Sequence, residues 1–336
     1  MQTIPLTLTV PGFDVPAALT LPDGDVRGAV LLVPGSLFSD VDGNYPTWQS
    51  FPRTYGHLAE GLARHGLAAL RFAKLGPGSG SVQTDATLGA ESRTWAGRMR
   101  TARAALTLMR TELASRDITP PKVVLAGHSE GSVVVSVLAR EGIDVDGVVL
   151  LSGPSVGILD IMREQMGAMT PPDQLEHQRE VLEEVIGVIR RGEPISDALK
   201  QRAAGPTGAG ALVGFPPEAL AYMRDVDATD PVAEIASYEG PVLIVQGGAD
   251  TSVPTHHAER LRDARLAAGR PTEYAFFPEL HHMYKVIPAG TSAVEAFGYP
   301  GPTDPRVDEA IAGWMDREAG SEEGESSAKR WVLRSP

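Results

Sequence analysis

Short apolar runs alternating with helical stretches set the rhythm of the chain. Leu6–Val10 and Ala17–Leu21 alternate apolar and polar residues around Pro11-Gly12, which predicts a leading antiparallel pair. Gly28–Val33 is a continuous apolar run, as expected of a strand buried on both faces of a parallel sheet. Leu67–Phe72, Val123–Ala126, Val145–Leu151 and Pro241–Gln246 repeat that signature, and Glu273–Phe277 reads as the last strand. Between them Tyr55–Arg64, Thr94–Ser115 and Val133–Arg140 read as helices. The second places Trp95, Met99, Ala102, Leu106, Met109 and Leu113 at helical spacing, and Gly66 can end the first in a left-handed turn. Pro34–Pro52 and Gly76–Ser81 are loop chemistry. Repeated β-loop-α units of this length predict the α/β class, a mostly parallel sheet flanked by helices.

After Pro154 the rhythm breaks. Ile158–Gly192 is helical, Ala203–Gly214 is rich in Gly and Ala, Pro217–Arg224 is a short helix, and no strand-like run occurs. The expected organisation is a core of residues 1–156 and 228–318 interrupted by a helical insertion, 157–227. Asp227–Tyr238 returns to the core, and Ala258–Ala268 and Val307–Arg317 close it as helices. The insertion leaves from the carboxyl end of a strand, where open α/β sheets bind ligands, so it is placed to act as a lid. Residues 319–336 lack apolar anchors over Gly320–Ser327 and are expected to be disordered, with Trp331-Val332-Leu333 as the one stretch apolar enough to dock locally.

Composition narrows the chemistry. The absence of cysteine excludes a disulfide framework, a thiolate metal site and a cysteine nucleophile. Thirty Lys and Arg against 43 Asp and Glu leave a net charge of −13, which argues against a nucleic-acid partner. The apolar runs are strand-sized, far short of the roughly 20 residues of a membrane-spanning helix. The amino-terminal residues show neither a basic region nor an apolar run, so a cytoplasmic protein is expected.

Gly127-His128-Ser129-Glu130-Gly131 fits the G-x-S-x-G pattern between a strand and a helix, the context a nucleophile elbow requires. Small residues must flank the serine because the turn is tight. The turn lifts the hydroxyl above the sheet and puts the N–H of Glu130 at a helix amino terminus, where a developing oxyanion is favoured. In this architecture an acid and then a histidine follow in the chain. Asp250 lies in Gly247–Pro254, just beyond the strand ending at Gln246, on the same sheet edge as Ser129. Glu239 and Glu259 are worse placed. For the base, His281 and His282 follow the last strand, and position alone leaves both open. His57, His65, His128, His177, His256 and His257 read as packing or solvated residues. Carboxylates at metal-ligand spacing are missing beside the two His-His pairs, so no metal site is expected.

The chain resembles the α/β-hydrolase superfamily, in particular bacterial esterases and the aminopeptidase-like and dienelactone-hydrolase-like serine hydrolases. The residues that carry the likeness are Val33-Pro34-Gly35-Ser36, Asp40–Asn44, Gly127–Gly131, Gly247–Pro254 and Leu280–Lys285, and it covers roughly 1–156 and 228–318. Related sequences often read Asn-His-Leu-Phe at the histidine, which aligns His282 with the base and His281 with the Asn. The resemblance also implies a second oxyanion donor after the first central strand: the N–H of Ser36, with Leu37 as runner-up. Where relatives often read Arg-Tyr-Asp-Lys-Arg-Gly, this chain has Arg71-Phe72-Ala73-Lys74-Leu75-Gly76, which weakens any substrate borrowed from the peptidase-like members.

The implied activity is hydrolysis of an ester or related acyl bond of a small molecule through an acyl-enzyme on Ser129, with His282 as base and Asp250 orienting it. That chemistry needs no cofactor. The alternatives are an acyltransferase or cyclase using the same residues, or a silent ligand-binding protein on this fold. An aminopeptidase would need an acidic clamp, for which Glu130, Asp40 and Asp42 are the nominees. Met162, Met166, Met169 and Phe215 either line an apolar acyl site or pack the insertion.

Overall fold

A computed structural model describes residues 1–169, 175–205, 208–288, 290–291 and 293–320. Among the described residues nine strands join in one sheet: β1 (Gln2–Val10), β2 (Phe13–Leu21), β3 (Gly28–Val33), β4 (Leu67–Phe72), β5 (Val82–Gln83), β6 (Val123–His128), β7 (Gly147–Leu151), β8 (Val242–Gly247) and β9 (Thr272–Phe277). Their order is β1-β2-β4-β3-β6-β7-β8-β9, with β5 beside β2. The pairs from β4-β3 to β8-β9 are all parallel, while β2 meets β1 and β4 antiparallel. The leading hairpin is longer than its alternation suggests, with Gln2 opposite Leu21 and Val10 opposite Phe13. Pro5 is tolerated because β1 is an edge strand, where a missing N–H costs no ladder bond.

The helices are α1 (Thr54–Arg64), α2 (Ala86–Ser92), α3 (Trp95–Ala114), α4 (Glu130–Arg140), α5 (Ile158–Met169), α6 (Leu175–Arg191), α7 (Asp197–Arg202), α8 (Ala209–Val213), α9 (Pro217–Asp227), α10 (Pro231–Ser237), α11 (Thr255–Ala267), α12 (Ala293–Phe297) and α13 (Pro305–Gly320). Successive residues of β3 serve opposite faces, as strand geometry demands. Ala29, Leu31 and Val33 join the core beneath α3, α4 and α11, with Met109, Val134 and Leu261. Val30 and Leu32 join the core beneath α1 and α13, with Leu58, Leu62, Ile311 and Trp314. Burial on both faces is why the central strands read as unbroken apolar runs.

The segment between β7 and α10 is all-helical among the described residues and has its own core. Val181, Leu182, Val185, Ile186 and Ile189 of α6 pack with Leu159, Leu199 and Leu212. Return to the sheet is secured by Arg265, which is completely buried and has no carboxylate partner among the described residues. Its five donors go to the carbonyls of Ile235, Tyr238, Gly240 and Pro271 and to the Thr272 hydroxyl, at 2.7–2.9 Å. Burial without a counter-charge lowers this guanidinium's pKa to about 10. Of the tail expected to be disordered, 319–336, the first two residues belong to α13; residues 321–336, with the docking of Trp331–Leu333, lie outside the described residues.

Candidate active site

The link between β6 and α4 is as tight as its glycines imply. A Cβ on Gly127 would stand 2.1 Å from the Gly131 carbonyl oxygen, and one on Gly131 would stand 2.3 Å from the Val33 oxygen. Both obstacles are backbone, so glycine is obligatory. Ser129 has φ 54° and ψ −122°, a conformation that L-residues rarely adopt. The strain is held by a bond from Ser129 N–H to the Leu151 carbonyl at 2.8 Å, and by Ser132 Oγ donating to the Gly127 carbonyl at 2.7 Å. The helix begins at Glu130, three residues earlier than its apolar pattern suggests, because the elbow turns directly into it.

Asp250 and His282 meet as expected. Asp250 Oδ2 lies 2.8 Å from His282 Nδ1. Asp250 Oδ1 accepts the N–H groups of Ser252 and Val253, both at 2.8 Å. Burial alone would raise the Asp250 pKa, but the charge and hydrogen bond of His282 and the Val253 N–H hold it below the usual carboxylate range. Asp250 can only accept from the ring, so His282 carries its proton on Nδ1 when neutral and leaves the Nε2 lone pair free. His281 takes the other direction. Its backbone closes a turn with Lys285 and Tyr284, and its Nδ1 is buried without a partner.

The residue between Gly127 and Ser129 is bonded to the histidine loop, although as the variable position of the motif it gave no signal in the sequence. His128 Nε2 lies 3.0 Å from the His282 carbonyl oxygen, so it must donate there. His128 Nδ1 then accepts from Tyr55 Oη at 3.1 Å, and Tyr55 Oη accepts the N–H of Gly35 at 2.8 Å. Burial and the neighbouring His282 lower the His128 pKa to about 3, so the ring stays neutral. The chain Gly35–Tyr55–His128–His282 joins the loop after β3, helix α1, the elbow and the histidine loop. The His128 and His282 rings sit 4.6 Å apart between centroids.

The loop after β3 is gripped from beneath. Arg98 Nη2 donates to the Pro34 carbonyl at 2.5 Å, and Lys74 Nζ donates to the Ser36 carbonyl at 2.6 Å. Lys74 also reaches Glu130 Oε1 at 2.6 Å, which Tyr222 Oη of α9 contacts at 2.7 Å. Burial would raise the Glu130 pKa, but Lys74 and Arg98 hold it below the usual range. Gly35 approaches Ser129 so closely that a Cβ on it would lie 3.3 Å from the serine Cβ. Its own N–H is taken by Tyr55. Among the described residues no protein acceptor meets the N–H groups of Ser36 and Leu37, the two expected oxyanion donors.

The remaining candidates are held in other surroundings. Asp40 is occupied by the N–H groups of Asp42 and Asn44 and by the Asn44 amide, and Asp42 is paired with Arg71 at 2.7 Å. With Glu130 on Lys74, no nominee for an acidic clamp is free. Met162 and Met166 pack against the insertion's core and Phe215 is 39% exposed, while the Met169 side chain lies outside the described residues. The carboxylate missing from sequence spacing beside His256-His257 comes from α5. Glu164 Oε2 lies 3.4 Å from His256 Nε2 and 3.0 Å from His257 Nε2. Ser155 N–H donates into His257 Nδ1 at 3.2 Å, which leaves the proton on Nε2, facing Glu164. Glu164, His256 and His257 thus bring three ligand-type atoms together in a polar seam between insertion and core.

No helix among the described residues is long and apolar enough to cross a membrane. Est1E from Butyrivibrio proteoclasticus is similar over 94% of this chain and 99% of its own, at 16% identity and TM-score 0.52. Carboxyl esterase 2 from Tuber melanosporum is similar over 94% of this chain and 87% of its own, at 14% identity and TM-score 0.53. Likeness at such identities speaks for the fold. In sequence, a "Putative carboxymethylenebutenolidase" of Methylorubrum extorquens is 34% identical over 55 residues. That stretch spans 16% of this chain and 19% of the relative. The model of the alpha/beta hydrolase family matches residues 30–319, from β3 through α13, and the chain therefore belongs to the alpha/beta hydrolase family.

Proposed function

We propose that the protein is a serine hydrolase that cleaves an ester bond of a small molecule through an acyl-enzyme on Ser129. The observation that carries this reading is the 2.8 Å bond from Asp250 to His282 Nδ1, on a histidine loop clasped by the residue next to the strained serine. His282 Nε2 takes the Ser129 proton as the hydroxyl oxygen attacks the carbonyl. The N–H groups of Glu130 and Ser36 receive the tetrahedral oxyanion. His282 then protonates the leaving alcohol, and water repeats the cycle on the acyl-enzyme. Asp250, ionised and buried, orients the imidazole and balances its transient charge.

An ester is favoured over a peptide amine terminus because Glu130, Asp40 and Asp42 are already committed to cations and loop N–H groups. The helical insertion is the lid. Tyr222 of α9 reaches the elbow's Glu130, and Gln165 of α5 donates to the Ser252 carbonyl at 2.7 Å, two residues from Asp250. The test is labelling with a fluorophosphonate and peptide mapping, beside turnover of p-nitrophenyl esters from acetyl to decanoyl. The adduct is expected on Ser129, and Ser129→Ala should lose both label and turnover. Near-normal ester turnover by that variant removes the mechanism. Products formed with a competing alcohol separate hydrolysis from acyl transfer.

A further inference from the structure

We propose that Lys74 and Tyr222 are positioning residues that tie closure of the helical insertion to the geometry of the oxyanion loop. The inference rests on the acyl-enzyme reading. Lys74 lies just past β4, nearly buried, and meets groups from three other elements: Glu130 of α4 and the Ser36 carbonyl, each at 2.6 Å, and the Tyr222 hydroxyl of α9 at 3.5 Å. Tyr222 donates to the same Glu130 oxygen, and its ring lies 5.2 Å from the Lys74 ammonium. Arg98 of α3 completes the cluster, with Nε 3.9 Å from Glu130 and Nη2 on the Pro34 carbonyl. Two cations and one carboxylate thus sit beneath the loop, leaving a net positive charge beside the place where negative charge develops.

Planar trans peptides turn these contacts into orientation. An N–H points opposite the C=O of its own peptide unit. The grip on the Pro34 carbonyl aims Gly35 N–H at Tyr55, and the grip on the Ser36 carbonyl aims Leu37 N–H away from Lys74. The peptide carrying Ser36 N–H is suspended between those two anchored units. Glu130, whose own N–H faces the same oxyanion, shares Lys74 with the loop. The Tyr222 hydroxyl satisfies part of that carboxylate. Without it, Glu130 Oε1 is left to Lys74 alone, and the ammonium shared with the Ser36 carbonyl is biased toward the carboxylate. Departure of α9 from the site would therefore loosen the donors, and its arrival would set them.

Such a role acts on the transition state, so it is read in kcat rather than KM. Turnover of p-nitrophenyl butyrate is measured for wild type, Tyr222→Phe, Lys74→Met and Lys74→Arg, and kcat is expressed per serine titrated to completion with fluorophosphonate. That normalisation removes any misfolded fraction. A displaced oxyanion donor should cost less than a deleted one, so kcat is expected to fall roughly 3–10-fold in Tyr222→Phe and on the order of 30-fold in Lys74→Met, with KM within about twofold. Lys74→Arg keeps the charge and should recover most of the loss.

A pH profile supplies a readout that a purely structural role would not move. Burial lowers the Lys74 pKa to about 8 against the opposing pull of Glu130. The groups facing it are Glu130, Arg98 and Tyr222. Wild-type kcat should decline above about pH 8, and Lys74→Arg should abolish the decline because a guanidinium keeps its proton. Unchanged kcat per titrated serine in Tyr222→Phe, or an unmoved alkaline decline in Lys74→Arg, overturns the proposal. Tyr222→Phe decides the matter even if Lys74→Met fails to fold. If wild-type label maps elsewhere than Ser129, the acyl-enzyme reading itself has failed. If it maps to Ser129 and the variants match wild type, only the positioning role is lost.

Discussion

Replacing Asp250 by Asn exchanges one oxygen for an NH2 group, and the surroundings dictate which way that amide must face. Oδ1 accepts two backbone N–H groups, from Ser252 and Val253, at 2.8 Å each. An NH2 group in that place would set a donor against two donors. The amide oxygen therefore keeps the Oδ1 position, and the new NH2 takes the Oδ2 position, 2.8 Å from His282 Nδ1. There it donates to Nδ1 and drives the ring proton onto Nε2, the nitrogen that must accept the Ser129 proton. Escaping by reversing the amide would give up two buried backbone bonds, at about 1–3 kcal/mol for each unsatisfied donor. An imidazole in the wrong tautomer costs about 10⁴ in rate, or about 5.5 kcal/mol. The assay is kcat/KM for p-nitrophenyl butyrate on Asp250→Asn, with imidazole nitrogen NMR reporting the tautomer and circular dichroism confirming the fold. Activity above roughly a tenth of wild type, or a proton still on Nδ1, would refute the reasoning.

Three further expectations concern stability. Among the described residues neither buried Asp308 oxygen has a hydrogen-bond partner; burial pushes this carboxyl up to about 7 against the pull of the exposed Arg64 at 3.7 Å, with Asp304 and Glu309 adding to the rise. A folded pKa above the unfolded value means stability that is complete below about pH 4 and lost as pH rises through about 7. Asp308→Asn should thus gain about 2–3 kcal/mol on wild type between pH 5 and pH 8 in urea unfolding, and a pH-independent difference contradicts this. Tyr55→Phe strips a partner from both Gly35 N–H and His128 Nδ1 and should lower stability by about 1–3 kcal/mol; an unchanged urea midpoint would tell against the chain of bonds. Gly131→Ala forces a Cβ to 2.3 Å from the Val33 carbonyl oxygen, whereas Gly24→Ala meets nothing within 4 Å. The first should lose more than about 3 kcal/mol or fail to accumulate, and the second should stay within about 0.5 kcal/mol; equal melting temperatures would refute the packing argument.

Local rules made much of the molecule legible. Gly28–Val33 and Leu67–Phe72 are strands with the expected bounds because burial on both faces demands unbroken apolar runs. The elbow at Ser129 was legible in five residues because a strained turn between strand and helix admits so few side chains. Asp250 followed from its place just beyond β8. Short elements were invisible: α2, α7 and α12 run for seven, six and five residues, less than the span over which helical spacing can be distinguished. The preference for His282 over His281 came from resemblance, because adjacent side chains differ only in the direction the backbone gives them.

What the sequence determined by itself is what backbone conformation and apolar periodicity dictate within a few residues: the order of strands and helices, the elbow and the helical character of the insertion. What only the tertiary structure decided is partnership. Glu130 and Tyr222 meet across 92 residues of chain, His128 and the His282 carbonyl across 154. Glu164 supplies from the insertion the carboxylate that spacing alone did not offer. A hydrogen bond leaves no periodic trace in either of its partners, since its energy depends on two groups arriving at one point in space. Lys74 enters the sequence reading only as one residue of Arg71–Gly76, and nothing there foretells that the fold buries it between a carboxylate and the carbonyl of Ser36.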